Sequence, residues 1–284
     1  MKILCLHGVG SSGSICESQF SPLLRRIDPS FELIFVDGPV ECERGPGMGL
    51  HLEGPFFSHT AGYSPGAMIE ALEHLDATIN DLGPFDGVFG FSQGGALALS
   101  YMHQQQVSGN QAPFKFALCF SSVIPCSSDA GYCQSIIQRL CTVPWHNIRV
   151  PSEDSLDLTR EERQFRDLLL QTVIPARKNN ALLPAYDMSV YMNGDGSEAP
   201  RVMHPQLLRE KIRTPTVHIW GKRDFDFMRN MSDAASGLCE EHLTKKLEHS
   251  GGHQPPQKDP EIKAVLRALE WAINQSERVG GLHL

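Results

Sequence analysis

"VFGFSQGGALAL", residues 88–99, sets one serine between two glycines where an apolar run gives way to small apolar residues at helical spacing. A tight turn that happens to contain serine would read this way, and so would a nucleophile held clear of its own backbone. The flanks decide between them. "FDGVFGF" (85–91) has the character of a buried strand and "QGGALALSYMHQ" (93–104) that of a helix, so Ser92 stands on a strand-to-helix corner. Such a corner accepts only small side chains two positions either side of the serine, and Gly90 and Gly94 hold those positions. This is the G-x-S-x-G elbow in the context it requires, and it marks Ser92 as a nucleophile and not a helix-capping turn residue.

A serine hydroxyl is a poor nucleophile until a base takes its proton, and the base must be oriented by an acid. After such an elbow the acid and then the histidine follow in chain order. The strand "TPTVHIWG" (214–221) runs into "KRD", which puts Asp224 at its C-terminal end. The strand "TKKLEHS" (244–250) runs into "GGH", which puts His253 at the same edge of a parallel sheet. Asp226 is the next choice of acid, and His249, at the end of its strand, is expected to pack or cap. His74 and His103, on helices, read as solvated. A tetrahedral intermediate needs two N–H donors. Gln93, at a helix N-terminus, supplies one from its backbone, and the loop "HGVGSSG" (7–13) supplies the other from Val9. His7 then shapes that loop by hydrogen bonding. A phosphate-binding reading of the loop fails, since it has neither the G-x-G-x-x-G spacing nor a P-loop lysine.

The elbow belongs to a regular alternation. "KILCLH" (2–7), "FELIFVD" (31–37), residues 85–91 and "FKFALCFSS" (114–122) join the two later strands, for about six in all. Helices are expected over 17–27, 64–83, 93–106 and 259–275. In the second, Ser64 caps, Pro65 opens the first turn, and Ile69, Leu72, Leu75 and Ile79 form the apolar stripe. The pattern predicts a single α/β domain over residues 1–284, with a mostly parallel sheet covered by helices on both faces. Residues 123–205 break the rhythm, far beyond the ~12–15 residues of an ordinary loop. They carry six prolines from Pro125 to Pro200 and one clear helix, opened by a Thr159–Glu162 capping box, with Phe165, Leu168, Leu169 and Val173 on its apolar face. An insertion here would lie over the C-terminal edge of the sheet as a lid.

Composition narrows the partners. A formal charge of -8 argues against nucleic acid, whose phosphates require a basic face. No apolar run approaches the ~20 residues of a membrane span, and the N-terminal apolar stretch is too short for a signal peptide. Eight cysteines without a CxxC pair suit a reducing compartment, so a cytoplasmic protein is expected. No metal-ligand cluster stands out among the twelve histidines.

Six blocks, "LCLHGVGSSG", "FVDGP", "GPFDGVFGFSQGGALAL", "FKFALCFSS", "TPTVHIWGKRD" and "HSGGHQPP", resemble in order those of the small fungal serine hydrolase family, which includes the human ovarian-cancer-associated serine hydrolase. The resemblance spans nearly the whole chain, with Ser92, Asp224 and His253 at the triad positions. It implies an α/β-hydrolase fold, a cytosolic location, no cofactor, and hydrolysis of carboxylic esters or thioesters. Many fungal relatives are free-standing thioesterases that release an acyl chain from the carrier protein of a highly reducing polyketide synthase. The segment from Pro125 to Pro205 matches no block of the family.

The leading expectation is therefore a thioesterase acting on a carrier-bound polyketide acyl chain, with a general carboxylesterase of small soluble esters as the alternative. A hydrolase fold reused as a binding protein is a third, opposed by the complete set of catalytic residue types. The acyl chain is expected between the lid and "GPGMGLHLEGPFF" (45–57), lined by Met48, Phe56, Phe57 and Trp145. An acidic carrier domain would need a basic patch, for which Arg149, Arg160, Arg163, Arg166, Arg177 and Lys178 are the candidates. Arg163 and Arg166 are expected to share a solvated helix face away from Phe165 and Leu169.

Overall fold

The computed structural model describes residues 1–142, 158–181, 191 and 195–281. Six parallel strands form its centre: β1 (Lys2–Leu6), β2 (Glu32–Val36), β5 (Gly87–Phe91), β6 (Phe116–Phe120), β9 (Thr216–Gly221) and β10 (Thr244–His249). Two short antiparallel pairs, β3 (Val40–Cys42) with β4 (Phe56–Ser58) and β7 (Cys126–Ser127) with β8 (Arg201–Val202), lie outside it. The helices are α1 (Gly13–Leu24), α2 (Pro65–Leu82), α3 (Gln93–Val107), α4 (Gln134–Cys141), α5 (Arg160–Gln171), α6 (Val173–Lys178), α7 (Asp226–Ser236) and α8 (Asp259–Gly281).

The sheet order is β10-β9-β6-β5-β1-β2. The chain therefore winds outward from β1 in one direction and then returns to add β5 on its other side. That reversal puts the loops after β1 and β5 side by side at the carboxyl edge, where open α/β sheets hold ligands. The register pairs Leu6 with Gly90, so the two loops leave the sheet level with each other.

Buried strands read as apolar runs because both faces are covered. One face packs Cys16, Phe20 and Leu23 of α1 and Ile262, Val265 and Leu269 of α8 against Ile3, Phe89 and Phe116. The other packs α2, α3 and α7 through Met68, Leu72, Leu97, Leu99 and Met231. Two expected boundaries move. The first helix starts at Gly13, four residues before the expected 17, because Ser12 Oγ caps it by accepting the Ile15 N–H. In α2 the Ser64 cap and Pro65 stand as read, but the buried stripe is Met68, Leu72 and Leu75, and Ile69 is exposed. Met68 falls on the helical arc of Leu72 and Leu75, and Ile69 lies 100° further round.

The excursion between β6 and β9 leaves and re-enters through the β7–β8 ribbon, with Cys126 paired to Val202 and Ser127 to Arg201. Its helix α5 carries the full capping box: Thr159 N–H donates to Glu162 Oε2 at 2.8 Å and Glu162 N–H to Thr159 Oγ1 at 3.2 Å. Phe165, Leu168 and Leu169 face the core as expected. Arg166 does not share the solvated face of Arg163. It is 8% exposed and ion-paired with Asp167, whereas Arg163 is exposed and donates to the Leu158 carbonyl. Arg166 lies 60° from the buried Leu169 on the helical wheel, so its stem is drawn toward the core while its head stays paired. The expected arginine pair is thus corrected to a single exposed arginine. Arg149 lies outside the described residues.

Candidate active site

Ser92 holds φ 52° and ψ −112°, a conformation that a non-glycine residue adopts only when its surroundings enforce it. The enforcement is visible. Ser92 N–H donates to the Phe120 carbonyl at 2.8 Å, and its own carbonyl accepts from Ala96 and Val123. A β-carbon on Gly90 would come 2.5 Å from Gly95 Cα, and one on Gly94 would come 2.3 Å from the Leu6 carbonyl oxygen. The two glycines thus serve different approaches: Gly90 lets α3 close on its own strand, and Gly94 lets it close on β1.

Asp224 and His253 are brought together by packing between the turns that follow β9 and β10. A β-carbon on Gly221 would stand 2.2 Å from the Gly252 carbonyl oxygen, so the turns touch backbone to backbone. Lys222 N–H donates to the His249 carbonyl at 2.8 Å and Arg223 N–H to the Gly251 carbonyl at 2.9 Å. The result is a continuous chain of contacts: Asp224 Oδ2 lies 2.7 Å from His253 Nδ1, and His253 Nε2 lies 3.0 Å from Ser92 Oγ. The carboxylate's other oxygen accepts the Phe225 N–H at 2.8 Å. With Nδ1–H directed at a carboxylate, Nε2 carries the lone pair and faces the serine hydroxyl. The Asp224 side chain is 1% exposed and that of His253 27%, so the carboxylate is shielded and the imidazole is partly open. Phe91 packs its ring 5.2 Å from the imidazole.

The rival residues lie elsewhere. Asp226 opens α7 on the surface and pairs with Arg229 at 2.5 Å. His249 is buried and its Nδ1 accepts the Gly251 N–H, so it packs and caps. His74 is exposed, but His103 is half-buried with Nε2 unpartnered among the described residues, which corrects its solvated reading. Burial holds His103 below the usual imidazole range.

Val9 lies in the loop after β1, and Gln93 heads α3 after β5, the strand paired with β1. Gly10, at φ +64°, turns the first loop, donating to the Phe57 carbonyl at 2.9 Å while its own carbonyl accepts from Gly45. Phe57 N–H in turn donates to the Ser11 carbonyl. Among the described residues nothing accepts the Val9 N–H, and Gln93 heads α3 with its N–H free of the helix ladder. His7 has the loop-shaping role: Nδ1–H donates to the Gly8 carbonyl at 2.7 Å and Nε2 accepts the Gly38 N–H at 2.9 Å. Burial depresses its pKa, which matches an acceptor nitrogen.

The other sequence candidates are partly gathered here. Met48 is half-buried with its Sδ over Gly45, and Phe57 is tied by its backbone to Gly10 and Ser11. Phe56 is its neighbour on β4, so the two rings point to opposite faces, and the Arg44 guanidinium lies 5.3 Å from the Phe56 ring. Trp145 lies outside the described residues. Sequence reasoning missed the β3–β4 pair, α7, and a polar cluster behind the elbow: Ser58, His59 and Tyr63 around the Gln93 side chain. It also missed Phe225, 62% exposed beside the acid and stacked on Phe227.

The family model described as "Serine hydrolase (FSH1)" matches residues 1–265. The chain belongs to this family. The hydrolase is 37% identical over 281 residues to a protein of Emericella nidulans named Esterase alnB, covering 98% of both chains. It is 28% identical over 226 residues to Serine hydrolase cnsH of Penicillium expansum, covering 79% of this chain and 92% of that one. A solved monoacylglycerol lipase from Paleococcus ferrophilus superposes with a TM-score of 0.48 at 17% identity, over 96% of this chain and 94% of that one. The protein is thus a serine hydrolase by family, as the sequence blocks implied, and its six-stranded parallel sheet with helices on both faces has the architecture expected from the sequence. Among the described residues no group of three or more His, Cys, Asp or Glu is placed to hold a metal, and no helix is long and apolar enough to cross a membrane.

Proposed function

We propose that this hydrolase cleaves acyl thioesters, releasing a polyketide acyl chain from a carrier protein, with Ser92, His253 and Asp224 as its catalytic triad. The observation that carries the triad and its acyl-transfer chemistry is the contact chain of 2.7 and 3.0 Å from Asp224 through His253 to Ser92, on an elbow strained at the serine itself.

In this mechanism Ser92 Oγ attacks the acyl carbonyl as its proton passes to His253 Nε2. The imidazolium that forms is stabilised by Asp224, which stays ionised. The carbonyl oxygen becomes an oxyanion held by the N–H groups of Val9 and Gln93, the latter aided by the positive end of α3. His253 returns the proton to the leaving thiol, or to an alcohol from an ester. A water, deprotonated by the same nitrogen, then attacks the acyl-serine; collapse of that second intermediate frees the carboxylic acid and re-protonates Ser92. The excursion over residues 123–205 serves as a lid within one domain, with the acyl chain between it and the loop 45–57. The polyketide role rests on the resemblance of the sequence blocks to the fungal family, and the buried thiols, several held in the protonated form by burial, suit a cytosolic enzyme.

The test offers one acyl group in three forms: on a carrier protein, on a small thiol and as a small alkyl ester. Rapid quench with intact-mass detection should trap the acyl group on the wild-type enzyme and not on Ser92→Ala. The proposal expects a higher kcat/KM for the carrier-bound form. A small ester turned over as well or better would instead make the protein a general carboxylesterase, the reading nearest to the name of its relative in Emericella nidulans.

A further inference from the structure

Behind the elbow lies a buried histidine that the catalytic chain does not use. His59, the residue after β4, is buried, and its ring lies 4.3 Å from that of His7 at a tilt of 30°. Its Nε2 is 3.2 Å from the His7 carbonyl oxygen, so that nitrogen carries the proton and donates. The same carbonyl accepts the Gly94 N–H at 3.1 Å, which uses both of its lone pairs. One donor comes from the elbow and the other from His59. At the other end of the residue, His59 N–H donates to Gln93 Oε1 at 2.9 Å. The Gln93 amide nitrogen donates to Ser58 Oγ at 3.0 Å and to the Tyr63 hydroxyl at 3.3 Å.

His59 therefore touches both segments that carry the free N–H groups: His7, two residues before Val9, and Gln93 itself. We propose that His59 is a positioning residue that fixes the spacing of the Val9 and Gln93 oxyanion donors. The inference rests on the reading of those two N–H groups as the oxyanion site. The physical demand is plain, since preorganised donors stabilise the transition state only while they keep their aim, and a shift of ~1 Å costs on the order of 100-fold. The Val9 loop is tied to its own neighbours through Gly10 and His7, and His59 adds the link between that loop and Gln93. Burial, and then the neighbouring His7, keep the His59 imidazole well below its usual pKa, so it remains a neutral donor.

Three variants test this. His59→Phe preserves an aromatic ring against His7 and removes the donor. His59→Gln restores a side-chain N–H at about the reach of Nε2. Gln93→Met removes the acceptor of the His59 N–H and leaves the Gln93 backbone donor in place. His59→Phe and Gln93→Met should each lower kcat by about 10–100-fold, within the cost of a misplaced catalytic contact, with KM within twofold of wild type. Affinity for an acyl trifluoromethyl ketone, whose hemiketal places an oxyanion on the same donors, should fall in parallel. His59→Gln should recover most of the loss, and the double variant His59→Phe with Gln93→Met should lose little more than the worse single one. Wild-type kcat in His59→Phe overturns the inference. Equal losses in the Phe and Gln variants that follow only a lowered Tm also overturn it, since that marks a purely structural residue. If His59→Phe does not fold, unchanged kcat and ketone affinity in Gln93→Met overturn it alone. Residual hydrolysis by Ser92→Ala would instead strike the catalytic reading itself.

Discussion

Gly94 and Leu6 meet so closely that a β-carbon on the glycine would stand 2.3 Å from the leucine carbonyl oxygen. The contact is backbone on one side, so no rotamer change relieves it. Gly94→Ala should therefore push α3 away from β1 and carry Ser92 and Gln93 with it. Overpacking of this kind costs ~1–3 kcal/mol, and the loss should lie toward the upper end because the neighbour is main chain. Gly95→Ala is the contrast, since its β-carbon would stand 3.0 Å from Ser122 Oγ and 3.2 Å from the Gly90 carbonyl oxygen, a far smaller overlap than 2.3 Å. Urea melts and ester kinetics should show Gly94→Ala less stable and nearly inactive, with Gly95→Ala milder on both counts.

In the proposed mechanism the contact chain through His253 links the three residues, so they should lose activity as a unit. Ser92→Ala and His253→Ala should each lower kcat/KM by on the order of 10^4 or more, and adding the second change should cost little further. Asp224→Asn presents an amide to Nδ1 and favours the wrong tautomer, with an expected loss of about 10^4. A fluorophosphonate probe should label wild type and spare Ser92→Ala; equal labelling of both would remove Ser92 from the mechanism.

How much of this was legible follows from what each signal depends on. The elbow was readable because its requirement is local: two glycines, a serine, a strand before and a helix after. Asp224 and His253 were readable because each follows a strand end, and parallel strands bring their ends to one edge. The β3–β4 pair was not readable, because its three-residue strands, Val40–Cys42 and Phe56–Ser58, flank a glycine- and proline-rich loop without periodicity. His59 was invisible for a different reason. Its neighbours, His7 and Gln93, are distant in sequence, and only the fold sets them against it. Arg166 misled because spacing gives a helix face and not the depth to which that face is buried.

Buried neutral histidines should make the fold sensitive to acid. His218 is fully enclosed beside Cys239, and burial, then Lys246, push its pKa down to about 3. His7 and His59 move in the same direction. An unfolded histidine titrates near ~6.5, so below that pH the unfolded chain binds protons that the folded one refuses. Stability is thus complete above pH ~6.5 and falls as pH drops toward the folded value. A histidine held near 3 costs about 2 kcal/mol at pH 5. Urea melts from pH 7.5 to 5 should show the decline, and His218→Phe should make it shallower. A flat profile would mean that these histidines are not neutral in the fold.

Arg201 closes the neck of the excursion. Its side chain is fully buried, with Nε donating to the Ala130 carbonyl at 3.0 Å and Nη1 to those of Gly196 and Ala199 at 2.8 and 3.0 Å. Nη2 donates to Gln134 Oε1. Arg201→Met would leave the buried Ala199 carbonyl unpaired, at ~1–3 kcal/mol before relaxation, and would take one of two donors from the buried Gly196 carbonyl. Arg201→Lys should not rescue it, because a point ammonium cannot span the same fork. Limited proteolysis should then cut within residues 126–202 much faster than in wild type, while β1, β5 and β6 keep their hydrogen-exchange protection. Unchanged cleavage would show that the excursion is held by its apolar packing alone.

The pleat of β4 separates two residues that the sequence grouped together. Phe56 pairs with Cys42 and Phe57 with Glu41, so their rings leave the hairpin on opposite faces. Ser58 shares its face with Phe56 and turns its hydroxyl to the Gln93 amide and the Thr60 carbonyl. Both rings therefore cannot line one acyl groove. Alanine at either position removes similar apolar volume, and filling or vacating a pocket shifts substrate preference by ~1–3 kcal/mol per methylene-sized change. Turnover of a homologous series of acyl thioesters should change its chain-length optimum in only one of Phe56→Ala and Phe57→Ala. Met48→Ala, beside the loop of Val9, should shift the optimum together with whichever phenylalanine faces the cleft. A shift in both phenylalanine variants would mean that the hairpin rearranges when substrate binds, and a shift in neither would remove loop 45–57 from the acyl site.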